Sequence, residues 1–180
     1  LVIGGLLLSD KMIYLIAGPD FVKSILVLQI GLFTLALIFF GTLFMNILIA
    51  AQLQKTIFWA LLVCAIFSVS GNLFFIPRFP DTAYLVPAIV SVLTEILVVG
   101  LTGYFIWKKL DFFPRVEKLF QILLAGFLMG AVIYFFKDLN FFILVLMGIL
   151  VYVAGLLVFK IISRKEIMEL LKKPEVVISE

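Results

Sequence analysis

The sequence predicts an all-α, polytopic transmembrane helix bundle of about five full spans plus one truncated span at its N-terminal end. Composition is the first reason. The chain is 65% hydrophobic and 14% charged, with a mean hydropathy of +1.31, against roughly 45–50% apolar and 25% charged in soluble domains. Long charge-free runs are the second reason. An aspartate or lysine at the centre of a span costs about 2.5–3.5 kcal/mol on insertion scales, so uninterrupted runs of about 20 residues mark crossings of about 30 Å of hydrocarbon. The third is punctuation, because turn residues and lysines separate these runs.

The first element is partial. Leu1 to Ser9 covers less than half the hydrocarbon at about 1.5 Å per residue, and Asp10-Lys11 follows before MIYLIAG. The chain opens on Leu1 without a basic region ahead of the apolar one, which is not the pattern of a signal peptide. The expectation is a fragment whose natural start lies upstream. Gly18-Pro19-Asp20 then reads as an elbow, glycine being free to take positive φ and proline unable to continue a helix from Ala17.

Three uncharged runs are unambiguous spans: Ser24 to Gln54, Thr56 to Pro77 and Leu139 to Phe159. Leu119 to Phe136 is shorter but sufficient. Thr82 to Trp107 is interrupted only by Glu95. Beyond Lys160, IISRKEIMELLKKPEVVISE changes character. Ile167, Met168 and Leu171 share one side, surrounded by Arg164, Lys165, Lys172 and Lys173, and Glu169 and Lys173 form an i, i+4 pair. This is the pattern of a short amphipathic segment on the membrane surface, ended by Pro174 and drawn to anionic lipid. The loop KKLDFFPRVEK, with Phe112 and Phe113 dipping into the interface, reads the same way.

Lysines and arginines set the orientation. One face collects Lys55, Lys108, Lys109, Arg115, Lys118, Lys160, Arg164, Lys165, Lys172 and Lys173, and the other only Lys11, Lys23, Arg78 and Lys137. By the positive-inside rule the C-terminus is expected in the cytoplasm, and the Gly18 elbow outside.

Several function classes are excluded. With no histidine and Cys64 as the single cysteine, the chain cannot assemble a Cys/His zinc site, an internal disulfide or a Cys/His nucleophile pair. No catalytic residue and no bound cofactor are expected. One carboxylate within a span is too little for paired acid–base chemistry, so an enzyme is not the expectation, nor is nucleic acid an expected partner. The expected partners begin with the lipid bilayer.

Glu95 is the leading candidate. It falls near the middle of its span, where an ionisable side chain is by default a functional hypothesis. Ser91 and Thr102, at i−4 and i+7, share its helical face together with Ala88. One reading is a protonatable or sodium-binding group, and the other a buried acid that fixes packing. Thr42 with Asn46, and Ser68 with Asn72, are each four residues apart and form polar stripes. They serve either as packing glue between helices or as a cavity lining. Every lysine and arginine lies at a span end or in a loop. Gly126 and Gly130 have small-xxx-small spacing, to which no function is assigned.

Four stretches, in order, carry a resemblance. YLIAGPDFVKSILVLQI (Tyr14 to Ile30) is similar to the "YG-P-E-F … VLQIL" passage of oligosaccharide flippases. NILIAAQLQKTIF (Asn46 to Phe58) is similar to a span ending in small residues and a short Gln/Lys turn. GNLFFIPRF (Gly71 to Phe79) resembles an "N-x-x-x-I-P-x-aromatic" span end, and AIVSVLTEILVVGLTGYFIWKK (Ala88 to Lys109) an "A-hydrophobic-S-x-x-x-E" helix leaving through aromatics into lysines. The family is the polysaccharide-biosynthesis branch of the multidrug/oligosaccharidyl-lipid/polysaccharide exporter superfamily. The sequence departs from it at Pro80-Asp81-Thr82-Ala83-Tyr84, where members carry a glycine-rich connection.

The resemblance implies that residues 1–110 are family-like core, 111–162 two additional spans and 163–180 a cytoplasmic amphipathic tail, together the C-terminal bundle of a flippase. It implies translocation of polyprenyl-pyrophosphate-linked oligosaccharide units across the cytoplasmic membrane, with an upstream N-terminal bundle of the same chain completing the cavity. A lipid-linked glycan is then the substrate, and a Na+ or H+ gradient the source of coupling. Arginines that hold the pyrophosphate would come from the upstream bundle. The alternative class is a freestanding six-span membrane protein, a structural subunit or small-solute binder.

Overall fold

The computed structural model describes residues 2–111 and 117–159, the side chains of 117–119 excepted. The expected amphipathic tail and the aromatic pair Phe112-Phe113 lie outside the described residues. Those described form six helices and no strand: α1 (Val2–Ile16), α2 (Lys23–Ala50), α3 (Gln54–Phe75), α4 (Val86–Leu110), α5 (Glu117–Phe135) and α6 (Phe141–Val158). α2, α4, α6 and the segment Gln54–Arg78 are each long and apolar enough to cross a membrane, and Phe120–Phe135 is a shorter apolar helix. The chain is a membrane-spanning helical protein. At 28 residues, α2 is about 42 Å long.

Boundaries depart from the sequence reading in three places. α1 does not stop where the apolar run does but continues through Asp10-Lys11 to Ile16. A charge raises the cost of lipid contact without breaking a helix, and Asp10 is exposed. The connection between α2 and α3 is Ala51 to Leu53, which leaves Gln54 and Lys55 in the first turn of α3. Gln52 takes a left-handed conformation, φ 58°, and the Leu53 amide donates to the Leu48 carbonyl at 2.9 Å, the six-to-one closure of a Schellman motif without its usual glycine. Finally, α4 begins at Val86 rather than Thr82. Pro77 and Pro80 each open a short 3-10 turn, Ile76–Arg78 and Pro80–Thr82, and Pro87 suits the first turn of the new helix.

The elbow behaves as its residues dictate. Gly18 has φ 85°, a backbone that L side chains rarely adopt. Pro19 starts the turn Pro19–Phe21 that leads into α2.

The chain divides into two compact units, the four-helix unit of residues 4–111 and the α5–α6 hairpin. In the first, α4 lies against both α2 and α3, which touch each other little. The last helix is therefore central. Lipid tails are as apolar as leucine, so helices in a bilayer associate through close packing and hydrogen bonds rather than the hydrophobic effect. α2 and α4 interlock reciprocally. A Cβ on Gly41 of α2 would stand 3.3 Å from Val98 of α4, and one on Gly103 of α4 would stand 3.2 Å from the ring of Phe44 of α2. Phe44, Leu48, Ile57 and Ile106 form the buried cluster below this crossing. On the other side of α4, Val90 sits 3.3 Å from the Cβ position of Gly71 of α3.

α1 joins α2 through a polar clasp. The Gln29 amide donates to Ser9 Oγ at 2.9 Å, and Ser9 in turn donates to the Leu6 carbonyl at 2.9 Å. Ser9 is fully buried, so both of its hydrogen bonds are needed.

The hairpin is simpler. Gly148 of α6 receives Ile133 of α5, 3.0 Å from its Cβ position, and Gly155 lies against Ala125 at 3.1 Å. Asn140 caps α6 by accepting from the Phe142 amide at 3.1 Å.

Candidate functional site: the carboxyl of α4

Glu95 is half-buried on α4. The helix runs from Val86 to Leu110, so Glu95 sits three residues, about 4.5 Å, from its midpoint. Its carboxyl oxygen Oε2 stands 3.8 Å from the Cβ position of Gly41, flanked by Val98 at 3.3 Å and Val99 at 3.8 Å. A Cβ at 41 would press on Val98 while only touching the carboxyl, and a side chain larger than alanine would crowd both. On the α3 side, buried Cys64 lies within electrostatic reach of the same group. Among the described residues Glu95 has no hydrogen-bond or ion-pair partner. Such an acid can bind a proton or a small cation, and a change in its charge acts directly on the α2–α4 contact.

The remaining candidates are distributed around it. Ser91 is exposed and donates to the Pro87 carbonyl at 2.8 Å. Thr102 is fully buried and donates to the Val98 carbonyl at 2.6 Å. Both hydroxyls are committed to their own helix, about 6 Å below and 10.5 Å above Glu95 along the axis. They share its face but not its contacts. Thr94, half-buried beside it, is similarly tied to the Val90 carbonyl at 2.7 Å.

Ser68 and Asn72 are half-buried and joined within α3, the Asn72 amide nitrogen donating to the Ser68 carbonyl at 2.8 Å. Asn72 Oδ1 is buried without a partner among the described residues. Thr42 and Asn46 are exposed on α2, because Gly41, Phe44 and Leu48 take the side facing the core. Within the four-helix unit this pair faces away from the core.

No group of three or more His, Cys, Asp or Glu side chains able to hold a metal occurs among the described residues. Beyond the carboxyl, two apolar grooves flank Ile89 and Leu93 of α4. One, of about 390 Å³, is also lined by Gln29, Ile30 and Phe33 of α2. The other, of about 380 Å³, reaches Phe75, Phe79 and Thr82.

Gly41 carries no local signal in the sequence, because its role depends on Glu95, 54 positions away. Set against known proteins, the chain gives no significant match to any family model, curated protein or solved structure.

Proposed function

We propose that the chain is the C-terminal bundle of a flippase that moves polyprenyl-pyrophosphate-linked oligosaccharide units across the cytoplasmic membrane, with its C-terminus in the cytoplasm. The observation that carries the reading is Glu95, a carboxyl without a partner among the described residues, set within a span against the glycine of a neighbouring helix. The four stretches in family order support it from the sequence side.

In this reading Glu95 takes up a proton or a sodium ion. Loading removes a negative charge from the Gly41–Val98 crossing, so the neutral and charged states favour different spacings of α2 and α4. Because α4 also packs on α3, the change reaches all three long helices. An upstream bundle of the same chain supplies the other wall of the cavity and the cations for pyrophosphate.

The test is complementation. Deleting the gene in its own host is expected to abolish surface polysaccharide and to accumulate lipid-linked oligosaccharide on the inner side. Wild-type protein restores export. Glu95→Gln, which keeps size and hydrogen-bonding capacity but not charge, lowers export by tenfold or more, a loss of about 1.4 kcal/mol in the transport step, at equal membrane abundance. Full export by Glu95→Gln would return the residue to a packing role. Unchanged polysaccharide in the deletion strain would reject the flippase and favour a freestanding membrane subunit.

A further inference from the structure

The end of the four-helix unit opposite the Gly18 elbow brings together residues from two separate connections. The Lys109 ammonium of α4 donates to Thr56 Oγ1 of α3 at 2.6 Å, across 53 positions of sequence. Thr56 is buried and Lys109 exposed, so the bond fixes the ammonium over the first turn of α3 while two of its three donors stay available. Lys55 and Lys108 are the neighbouring residues on the two helices, and both are exposed. Lys108 and Lys109 lean on Tyr104 and Phe105, 5.5 and 5.8 Å from the ring centroids. Among the described residues no carboxylate forms an ion pair with any of the three.

Electrostatics makes this arrangement incomplete. Lys108 and Lys109 suit the negative C-terminal end of α4, but Lys55 lies in the first turn of α3, where the helix dipole is already positive. The Lys109–Thr56 bond draws the basic end of α4 onto the basic first turn of α3, and positive charge gathered at one end of the unit favours an anion there. The aromatic flanks give its depth. Trp59 and Trp107 are 63% and 61% exposed, four residues from Lys55 and one from Lys108, and tryptophan settles at the level of lipid headgroups. At this height a membrane offers the phosphate diesters of its lipids.

We propose that Lys55, Lys108 and Lys109 form a discrete binding site for the headgroup of an anionic phospholipid. The site differs from a diffuse basic surface because the Lys109–Thr56 bond sets its geometry, and it does not depend on the transport reading.

The test uses full-length protein, stripped of lipid in neutral detergent and titrated with phosphatidylglycerol. Bound lipid is read by native mass spectrometry and stability by thermal unfolding. The wild type binds phosphatidylglycerol and melts at higher temperature. Lys55→Gln/Lys108→Gln/Lys109→Gln loses about fivefold in affinity for each lysine removed, and added salt weakens the wild type toward the variant. Phosphatidylcholine and soluble glycerol phosphate have no effect. Equal affinity of wild type and variant for phosphatidylglycerol overturns the proposal, as does equal stabilisation by phosphatidylcholine. Glycerol phosphate matching phosphatidylglycerol would overturn the lipid and identify a soluble phosphate ligand. If the triple variant does not fold, Lys55→Gln alone gives the same reading, with a fivefold loss supporting the site and no change rejecting it.

Discussion

The α5–α6 hairpin and the four-helix unit are both apolar helices packed on glycine, yet they hold together differently. In the hairpin, Gly148 and Gly155 lie on one helix and admit Ile133 and Ala125 of the other, and among the described residues no side-chain hydrogen bond joins the two helices. In the four-helix unit the glycines are exchanged, Gly41 on α2 and Gly103 on α4, and polar groups sit at or beside the crossings: Glu95, Ser9 with Gln29, and Lys109 with Thr56. Polar groups in lipid are expensive and give only about 0.6 kcal/mol per hydrogen bond on average. Packing alone suffices for a hairpin, so the polar residues of the larger unit call for a role beyond cohesion.

Steric substitution breaks the comparison most directly. Gly155→Val places carbon 3.1 Å from Ala125 Cβ with the α5 backbone only 3.5 Å away, where neither atom can give. A loss of about 2–3 kcal/mol is expected, measured by unfolding in mixed micelles. Gly41→Val meets Val98 at 3.3 Å and costs less, about 1–2 kcal/mol, but it also displaces Glu95. On the proposed transport reading, export falls further than stability accounts for. A Gly41→Val protein that exports in proportion to its folded fraction would remove the distinction between the units.

A smaller effect sharpens it. Gln52 holds a left-handed conformation that costs about 1 kcal/mol for a residue with a Cβ. Gln52→Gly should therefore raise the stability of the four-helix unit by that amount in the same assay. No gain would mean that the Gln52 side chain offsets the strain. The smallest change is expected at the clasp, where Ser9→Ala leaves the Gln29 amide without its acceptor and lowers stability by about 0.6 kcal/mol. A loss several times larger would make hydrogen bonding, rather than packing, the main tie of α1.

Most of the helical order was legible because the cost of charge in lipid writes span limits into the sequence. Ser24 to Gln54 and Leu139 to Phe159 fall within a few residues of α2 and α6. Gly18 was readable because its conformation belongs to glycine. The extension of α1 through Asp10-Lys11 was not, since hydropathy reports contact with lipid and not backbone hydrogen bonding. The start of α4 was displaced for a similar reason: Thr82 to Leu85 is apolar enough to extend the span but lies between Pro80 and Pro87, which confine it to turns. At the site, Glu95 stood out as a lone charge, but its neighbour Gly41 did not. Spacing places Ser91 and Thr102 on the Glu95 face but carries no information on their hydroxyls, which turn back onto α4. Four-residue spacing likewise cannot tell the exposed pair Thr42 and Asn46 from the half-buried pair Ser68 and Asn72.

The length of α2 has a mechanical consequence. Its 28 residues exceed an average bilayer core by about 12 Å, and a helix that is too long tilts, thickens the lipid around it or lifts one end into the headgroups. α4 is packed along it and has to lean with it, carrying the Glu95–Gly41 crossing. A thinner membrane increases that lean and a thicker one relaxes it. Bilayer thickness thereby becomes a mechanical load on the crossing where a carboxyl meets a glycine.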